Sequence, residues 1–198
     1  MNNYENLAVI LVGYQNDYFA KNGVLRGVVE EPGRVDEVLE NSMNLIRQLA
    51  DTKALIISTP IVLESSYRAL SNSSGILDKI KESGAFSAGT FGAENIPELE
   101  EFGDRITYVS GKVGFNAFSK TDLENTLTEN GIKEVWVCGM VTSLCIDSTG
   151  RAAYERGYKV SIVEDCSSAR TALEHNFYCQ NVFPLYGSVI ESKSLEKI

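Results

Sequence analysis

Residues 135–149 read VWVCGMVTSLCIDST. The apolar run at the start of this stretch is typical of a strand that is buried on both faces, and it ends at Gly139. Small residues then form a turn, and a helix is expected to begin near Ser143. This arrangement places Cys145 in the first turn of a helix, beyond the carboxyl end of a strand. The stretch therefore indicates a strand–turn–helix unit of an α/β fold.

Cys145 is the residue of this unit that could carry chemistry. Unpaired backbone N–H groups at the start of a helix favour negative charge, which lowers the pKa of a thiol and can stabilise an oxyanion. A cysteine activated in this way is a strong nucleophile. From this context alone, a buried cysteine that packs against the sheet is an equally good interpretation.

The rest of the chain repeats the same alternation of patterns. Apolar runs predict strands at Leu7–Val12, 54–58, 105–109, 134–138 and 159–163, with a weaker sixth strand near 182–190. Helical patterns lie at Arg34–Ala50, 121–130, 142–155 and 167–181, the last with Ser167 and Ser168 as capping candidates. Such alternation predicts βαβ units. We expect an α/β fold of three layers, with helices on both faces of a six-stranded parallel sheet.

The composition of the chain limits the classes of function that the protein could have. The 198 residues predict a single domain spanning residues 1–198, and the formal net charge of -9 argues against a nucleic-acid partner. No apolar run approaches the roughly 18–20 residues that span a bilayer, so we expect no membrane partner. The first residues lack the basic region of a signal peptide, which predicts a cytoplasmic protein. Four cysteines without a C-x-x-C pair, and a single histidine, argue against a disulfide framework and against zinc.

Two other strand ends carry candidate residues. Lys112 follows the third predicted strand, and a lysine near a thiol would favour the thiolate, although a solvated loop lysine is the simpler interpretation. The first strand ends at Gly13, without a carboxylate, and Asp17 could be a turn-capping residue. Long segments follow the first two strands at 14–32 and 59–102. Because ligands bind beyond the carboxyl ends of parallel strands, these segments are candidates for the walls or lids of a site.

Three stretches together resemble the isochorismatase-like family, which includes isochorismatases, nicotinamidases and N-carbamoyl amide hydrolases. AVILVGYQNDYF at 8–19 is similar to the family's first strand and its Q-N-D-F signature, and GTFGAENIPEL at 89–99 is similar to the segment before the third strand. The run at 112–158, from KVGF through CGMVTSLC to ERGY, follows the family's pattern of lysine, strand, turn, cysteine and Ala-rich helix. The resemblance covers nearly the whole chain. It implies a six-stranded parallel sheet between helices, with Rossmann-like strand order.

The resemblance also implies roles for individual residues. The family's usual triad is aspartate, lysine and cysteine, and the last two align with Lys112 and Cys145. The resemblance implies a cis peptide bond between Met140 and Val141, and an oxyanion hole made by the backbone N–H groups of Val141 and Cys145. Family members usually associate through helices beside the site, so we expect a homo-oligomer.

The chain departs from the family pattern at the aspartate, whose position is held by Gly13. Three explanations are open. Cys145 could be a thiolate paired with Lys112; Asp17 or Glu64 could supply a substitute acid; or hydrolysis could be impaired, which would leave a small-molecule-binding or thiol-redox protein. The loss of the acid also argues against true isochorismatase chemistry, which needs the acid and not the thiol.

A second departure concerns metal. Nicotinamidases carry an Asp-x-His pair and another histidine after the second strand, where this chain reads STPIVLE at 58–64. The single histidine, His175, falls in a late helix and is interpreted as a satisfied surface or core-edge residue. We therefore expect no metal and no other cofactor, and the pattern argues against a nicotinamidase.

The sequence thus predicts a cysteine hydrolase that cleaves a small C–N substrate, an amide or carbamoyl compound, through a thioester-type intermediate. Cys145 would attack the carbonyl, and Lys112 would hold the thiolate. The substrate pocket is expected to be formed by four aromatic residues: Tyr14, Tyr18, Phe86 and Phe115. The alternative is the impaired binding or thiol-redox protein of the same fold.

Overall fold

The computed structural model describes residues 4–193 of the chain. Within that range, six parallel strands form one sheet in the order β3-β2-β1-β4-β5-β6. The strands are β1 (Leu7–Val12), β2 (Leu55–Thr59), β3 (Ile106–Tyr108), β4 (Glu134–Met140), β5 (Lys159–Ser168) and β6 (Ser188–Ile190). This order confirms the predicted Rossmann-like parallel sheet. The order reverses between β1 and β4, so a crevice opens beyond their carboxyl ends.

The helices lie between the strands in chain order. They are α1 (Asn16–Phe19), α2 (Arg34–Ala50), α3 (Ile76–Ser83), α4 (Leu123–Glu129), α5 (Asp147–Glu155) and α6 (Ala172–Phe177). Short 3-10 segments include Arg26–Val28 and Pro97–Arg105, and π-helical turns lie at Thr142–Ile146 and Tyr178–Val182. Among the described residues, no helix is both long and apolar enough to cross a membrane.

Strand β1 shows why the sequence carries an uninterrupted apolar run. All six of its residues are buried. Alternate side chains point to opposite faces of a strand, and here Val9 and Leu11 belong to one hydrophobic core whereas Ala8 and Ile10 belong to a second. A strand in the centre of the sheet therefore needs apolar side chains at every position.

The two cores place helices on both faces of the sheet. Helix α2 contributes an apolar stripe to the core that contains Val9, including the fully buried Leu45 and Ile46. Helices α4 and α5 contribute Leu127 and Ala153 to the other core. The three-layer α/β/α architecture predicted from the alternation of patterns is thereby confirmed.

Strand β5 differs from the sequence prediction. It continues to Ser168, so Ser167 and Ser168 are buried in the sheet and do not cap a helix. The hydroxyl oxygen of Thr171 caps helix α6 instead, accepting a hydrogen bond from the backbone N–H of Glu174 at 3.2 Å. Ser167 is drawn into the sheet because β5 pairs with the extended end of β4, where Ser167 lies opposite Gly139.

Gly139 allows β4 and β1 to approach closely at the crevice. A Cβ atom at this position would lie 2.0 Å from the carbonyl oxygen of Val12, and the backbone has a φ of 125°. No other residue fits both requirements. Glycine at this point therefore keeps the ends of β1 and β4 together, and the segments that follow them share one edge of the sheet.

Candidate active site

Cys145 lies in the π-helical turn that follows β4. The turn spans Thr142–Ile146 and leads directly into α5. The peptide bond between Met140 and Val141, at the end of β4, is cis. The Cys145 side chain is 4% exposed and borders a cavity that Val141 also lines. The thiol is thus buried in the protein but accessible from one side.

Lys112 comes from the segment after β3 and is fully buried. Its backbone forms an isolated parallel bridge with Ile61, which follows β2. The amine Nζ donates a hydrogen bond to the carbonyl oxygen of Gly114 at 2.6 Å and lies 3.5 Å from Sγ of Cys145. Burial lowers the pKa of Lys112, and the negative charge of a Cys145 thiolate opposes that effect. The pair can therefore share one proton between nitrogen and sulfur.

Gly13 follows β1, at the position where the family pattern has its aspartate. Its backbone φ is 76°, a conformation that favours glycine. A Cβ atom at position 13 would lie 3.3 Å from Cε2 of Tyr18 and 3.4 Å from the carbonyl oxygen of Met140. The space beside Gly13 is therefore bounded by an aromatic ring, with no carboxylate from this position.

The cavity beside Cys145 has a volume of about 50 Å³ and is mainly apolar. Both long segments contribute to its walls, the first through Leu25 and Val28 and the second through Ile61, Leu63, Ile76, Leu77 and Ile80. Val113, Gly114, Phe115, Val141 and Leu144 close the side near the thiol. The lining has one positive and one negative residue, Arg170 and Glu174, and its other residues are mainly apolar. A neutral, apolar occupant therefore fits best.

The aromatic residues expected to form the pocket are divided by the structure. Tyr18 and Phe115 line the cavity. Tyr14 and Phe86 do not, and the prediction is corrected for both. Tyr14 is fully buried, stacks on Phe19 at 5.0 Å between ring centroids, and donates a hydrogen bond to the carbonyl oxygen of Cys166 at 3.1 Å. The fully buried Phe86 packs behind the ring of Tyr18 and supports it.

Neither carboxylate suggested as a substitute acid lines the cavity. Asp17 is buried, and its Oδ2 accepts a hydrogen bond from the backbone N–H of Phe86 at 2.6 Å. A Cβ atom at Gly92 would lie 2.1 Å from its Oδ1, so the carboxylate is enclosed by backbone on that side as well. Glu64 is exposed and accepts a hydrogen bond from the hydroxyl of Ser66 at 3.3 Å. Both are thereby corrected as sources of the missing acid.

Gln15 has a positioning role that the sequence did not reveal. Its side chain is fully buried, donating to the carbonyl oxygens of Ile61 and Ala93, each at 2.7 Å, and accepting from the N–H of Ile61 at 2.8 Å. These bonds tie the segment after β1 to the segment after β2. They hold Ile61 at the cavity wall and beside the backbone of Lys112.

Glu174 was also missed as a cavity residue. It is half-buried, lines the cavity, and accepts a hydrogen bond from the hydroxyl of Ser143. A sequence signal for it exists, because Thr171 and Glu174 have the S/T-x-x-E spacing of a capping box. That spacing would have placed Glu174 in the first turn of a helix after β5, at the carboxyl edge of the sheet.

His175 lies behind the turn that carries Cys145. Its Nδ1 is 2.9 Å from the hydroxyl oxygen of Thr142, and its Nε2 is 3.6 Å from Sγ of Cys179. Burial, together with the charge of Arg34, lowers the pKa of His175 to about 4. The ring is therefore neutral near pH 7, and both nitrogens have protein partners. Within residues 4–193, no three histidine, cysteine, aspartate or glutamate side chains lie together in an arrangement that could hold a metal ion.

Comparison with known proteins agrees with this architecture. The family model described as the isochorismatase domain matches residues 7–194. The uncharacterized isochorismatase family protein YddQ of Bacillus subtilis is 29% identical over 164 residues, which are 83% of this chain and 78% of that protein. Nicotinamidase 3 of Arabidopsis thaliana is 28% identical over 109 residues, which are 55% of each chain.

A solved structure extends the similarity to the fold. The crystal structure of an isochorismatase family protein from Desulfovibrio vulgaris has a TM-score of 0.82 at 21% identity, with 97% of each chain covered. At that identity the likeness concerns the fold alone, whereas the family model covers nearly the whole sequence. The chain therefore belongs to the isochorismatase family.

Proposed function

We propose that this protein is a cysteine hydrolase that cleaves a C–N bond in a small amide or carbamoyl compound. One observation carries the proposal: the buried amine of Lys112 lies 3.5 Å from Sγ of Cys145 at the wall of an accessible cavity. A cation in contact with a thiol favours the thiolate, which is the nucleophilic form. Such a pair has no evident purpose in a purely structural core, because burying a lysine is costly unless its charge is used.

The proposed reaction begins with transfer of the thiol proton from Cys145 to Lys112. The sulfur then attacks the substrate carbonyl carbon, and the backbone N–H groups of Val141 and Cys145 would hold the resulting oxyanion. Collapse breaks the C–N bond and leaves a thioester on Cys145, while the departing nitrogen takes a proton from an acidic group at the cavity and leaves as ammonia or an amine. Attack by water on the thioester releases the carboxylic acid and restores the sulfur.

The lining of the cavity suggests the acyl group. Aliphatic side chains from both long segments surround the space next to Sγ, and the volume of about 50 Å³ admits only a compact group. Of the charged groups on the lining, Arg170 already pairs with Glu30 at 3.4 Å and Glu174 would repel a second carboxylate. A carboxylate on the acyl chain would therefore be buried mainly among aliphatic side chains, at a cost of several kcal/mol. We therefore propose a neutral, aliphatic acyl group as the preferred substrate part.

Similarity to relatives supports the reaction class. Nicotinamidase 3 is named for the hydrolysis of an amide, and its similarity covers 55% of this chain. The histidines that nicotinamidases carry after the second strand are absent from STPIVLE at 58–64. The proposed reaction therefore uses the thiol, the lysine and backbone N–H groups.

Ammonia release from a panel of primary amides tests the proposal. The panel contains aliphatic amides of increasing length, N-carbamoyl amines, and matched amides that carry a terminal carboxylate. We expect turnover of short neutral amides, a loss of about 10²-fold or more in kcat/KM for the carboxylate-bearing partners, and an acyl adduct on the peptide that contains Cys145. Cys145→Ala abolishes turnover, whereas Cys179→Ala, which removes a thiol away from the cavity, retains it.

The second candidate function is a small-molecule-binding or thiol-redox protein, and the absence of a carboxylate at Gly13 favours it. The same panel separates the two. Binding of an amide without ammonia release or acyl adduct, or reversible oxidation of Cys145 without turnover, would support the second candidate. One-domain organisation, homo-oligomeric assembly and a cytoplasmic location stay predictions from the sequence.

A further inference from the structure

The space beside Gly13 is occupied by the ring of Tyr18. A side chain at position 13 would begin 3.3 Å from Cε2 and 3.4 Å from Cδ2 of this ring. The first distance is shorter than an ordinary van der Waals contact, and the second is at its lower limit. The ring can therefore occupy this position because residue 13 has no Cβ. Phe86 supports the ring from behind, with 5.4 Å between ring centroids. Glycine at position 13 and the aromatic ring at position 18 are thus structurally linked.

The hydroxyl of Tyr18 is available to a substrate. The side chain is only 7% exposed and lines the same cavity as Cys145. The hydroxyls of other buried tyrosines form hydrogen bonds within the protein. The hydroxyl of Tyr67, for example, donates to the carbonyl oxygen of Ala85 at 2.9 Å. Within residues 4–193, the Tyr18 hydroxyl has no hydrogen-bond partner. Every fully enclosed side-chain nitrogen or oxygen atom in that range has one, so the Tyr18 hydroxyl is not fully enclosed. It therefore opens into the cavity.

We infer that the Tyr18 hydroxyl replaces the missing carboxylate as the proton donor to the leaving amine, an assignment that rests on the proposed cysteine-hydrolase function. When the C–N bond breaks, the phenol proton moves to the departing nitrogen and leaves a phenolate. The phenolate then takes a proton from the water that attacks the thioester, which restores the phenol. Over one cycle an amide and a water become a carboxylic acid and ammonia, and Tyr18 is unchanged.

The electrostatics agree with a donor that is protonated before it acts. Burial, followed by the negative charges of Cys145 and Asp17, raises the pKa of Tyr18. Tyr18 and Cys145 line the same cavity, so the proton donor and the nucleophile face the same substrate. The carboxylates of Asp17 and Glu174 are already used: the first accepts a hydrogen bond from the backbone N–H of Phe86, and the second accepts one from the hydroxyl of Ser143.

The test compares two substrates that share an acyl group but differ in the leaving group. A primary amide needs a proton on its nitrogen, whereas a 4-nitrophenyl ester releases a phenolate that needs none. We expect Tyr18→Phe, which removes one oxygen, to lower the rate of acylation by the amide by about 10²-fold or more while the ester burst stays within about threefold. Tyr67→Phe serves as the matched control for the loss of a buried hydroxyl outside the cavity.

The outcomes are distinct. Wild-type protein that gives neither an ester burst nor an acyl adduct on Cys145 overturns the proposed function, and this assignment with it. A normal adduct, with equal amide rates in wild type and Tyr18→Phe, overturns the assignment alone. So does an amide-specific loss in Glu174→Gln that Tyr18→Phe lacks. An equal loss for amide and ester in Tyr18→Phe would mean a packing effect and would also contradict proton donation.

Discussion

The amine of Lys112 and the thiol of Cys145 lie 3.5 Å apart although 33 positions separate them in the chain. Lys112 follows β3 and Cys145 follows β4, and these strands are not neighbours in the sheet. The contact exists because parallel strands all end at the same edge, where the segments beyond β3 and β4 can converge. It places a thiol and a buried amine together beside the cavity.

Replacement of Lys112 by methionine should make the thiol of Cys145 less reactive. The variant keeps a long apolar side chain but removes the charge beside Sγ, so the thiolate loses its partner. We expect the pH profile of iodoacetamide alkylation of Cys145 to move to higher pH, and amide turnover to fall by about 10²-fold or more. Lys133→Met, at an exposed position, is the control. An unchanged alkylation profile in Lys112→Met would show that the lysine does not activate the thiol.

Restoring an aspartate at position 13 should not restore a triad. The backbone φ of 76° disfavours any residue with a Cβ, and Tyr18 Cε2 lies 3.3 Å from where that atom would stand. We expect Gly13→Ala and Gly13→Asp each to lower the free energy of unfolding by about 1–2 kcal/mol, measured by urea denaturation. Gly131→Ala, at a φ of 66° with open space around it, isolates the backbone cost. If Gly13→Asp were as stable as wild type and more active, the link between Gly13 and Tyr18 would be wrong.

Loss of the Gln15 side-chain amide should loosen the cavity wall. Gln15→Leu keeps the size of the side chain but leaves the N–H and carbonyl of Ile61 and the carbonyl of Ala93 without their partners. Because unpaired buried polar groups cost about 1–3 kcal/mol each, we expect the free energy of unfolding to fall by about 3 kcal/mol or more. Gln48→Leu, on the exposed face of α2, should change it little. Comparable stabilities of the two variants would remove Gln15 as a tie between the segments.

The stability of the protein should fall with acidity through His175. The folded-state pKa of about 4 lies below the ordinary value of 6.5, so the unfolded chain binds the proton more readily. The contribution is therefore complete above about pH 6.5 and is lost as the pH falls towards 4. Since one pKa unit corresponds to about 1.4 kcal/mol, the loss amounts to at most about 3.5 kcal/mol.

Urea unfolding between pH 4 and 7 measures this dependence. His175→Gln keeps polar atoms near Thr142 and Cys179 but does not titrate, so its stability should depend less steeply on pH in that interval. The same slope in wild type and His175→Gln would show that other groups cause the acid sensitivity.

Much of the architecture was readable from the sequence. The uninterrupted apolar run at Leu7–Val12 and the apolar stripe at Arg34–Ala50 predicted a buried strand and a helix with the bounds that the structure gives them. Their periodicities follow from local geometry, so no distant contact is needed to read them. Their places at strand ends made Cys145 and Lys112 candidates, and the resemblance to the family assigned them to a triad whose aspartate position is held by Gly13.

Only the tertiary structure decided what each side chain near the strand ends does. Tyr14 and Tyr18 stand four residues apart, yet the hydroxyl of Tyr14 is bonded within the core and Tyr18 lines the cavity. The carboxylate of Asp17 accepts a hydrogen bond from the backbone N–H of Phe86, and Glu174 lines the cavity although it lies near the other end of the chain. These roles depend on contacts between segments far apart in sequence. The direction of a side chain in an irregular segment is set by whatever packs against it, and no local pattern records that.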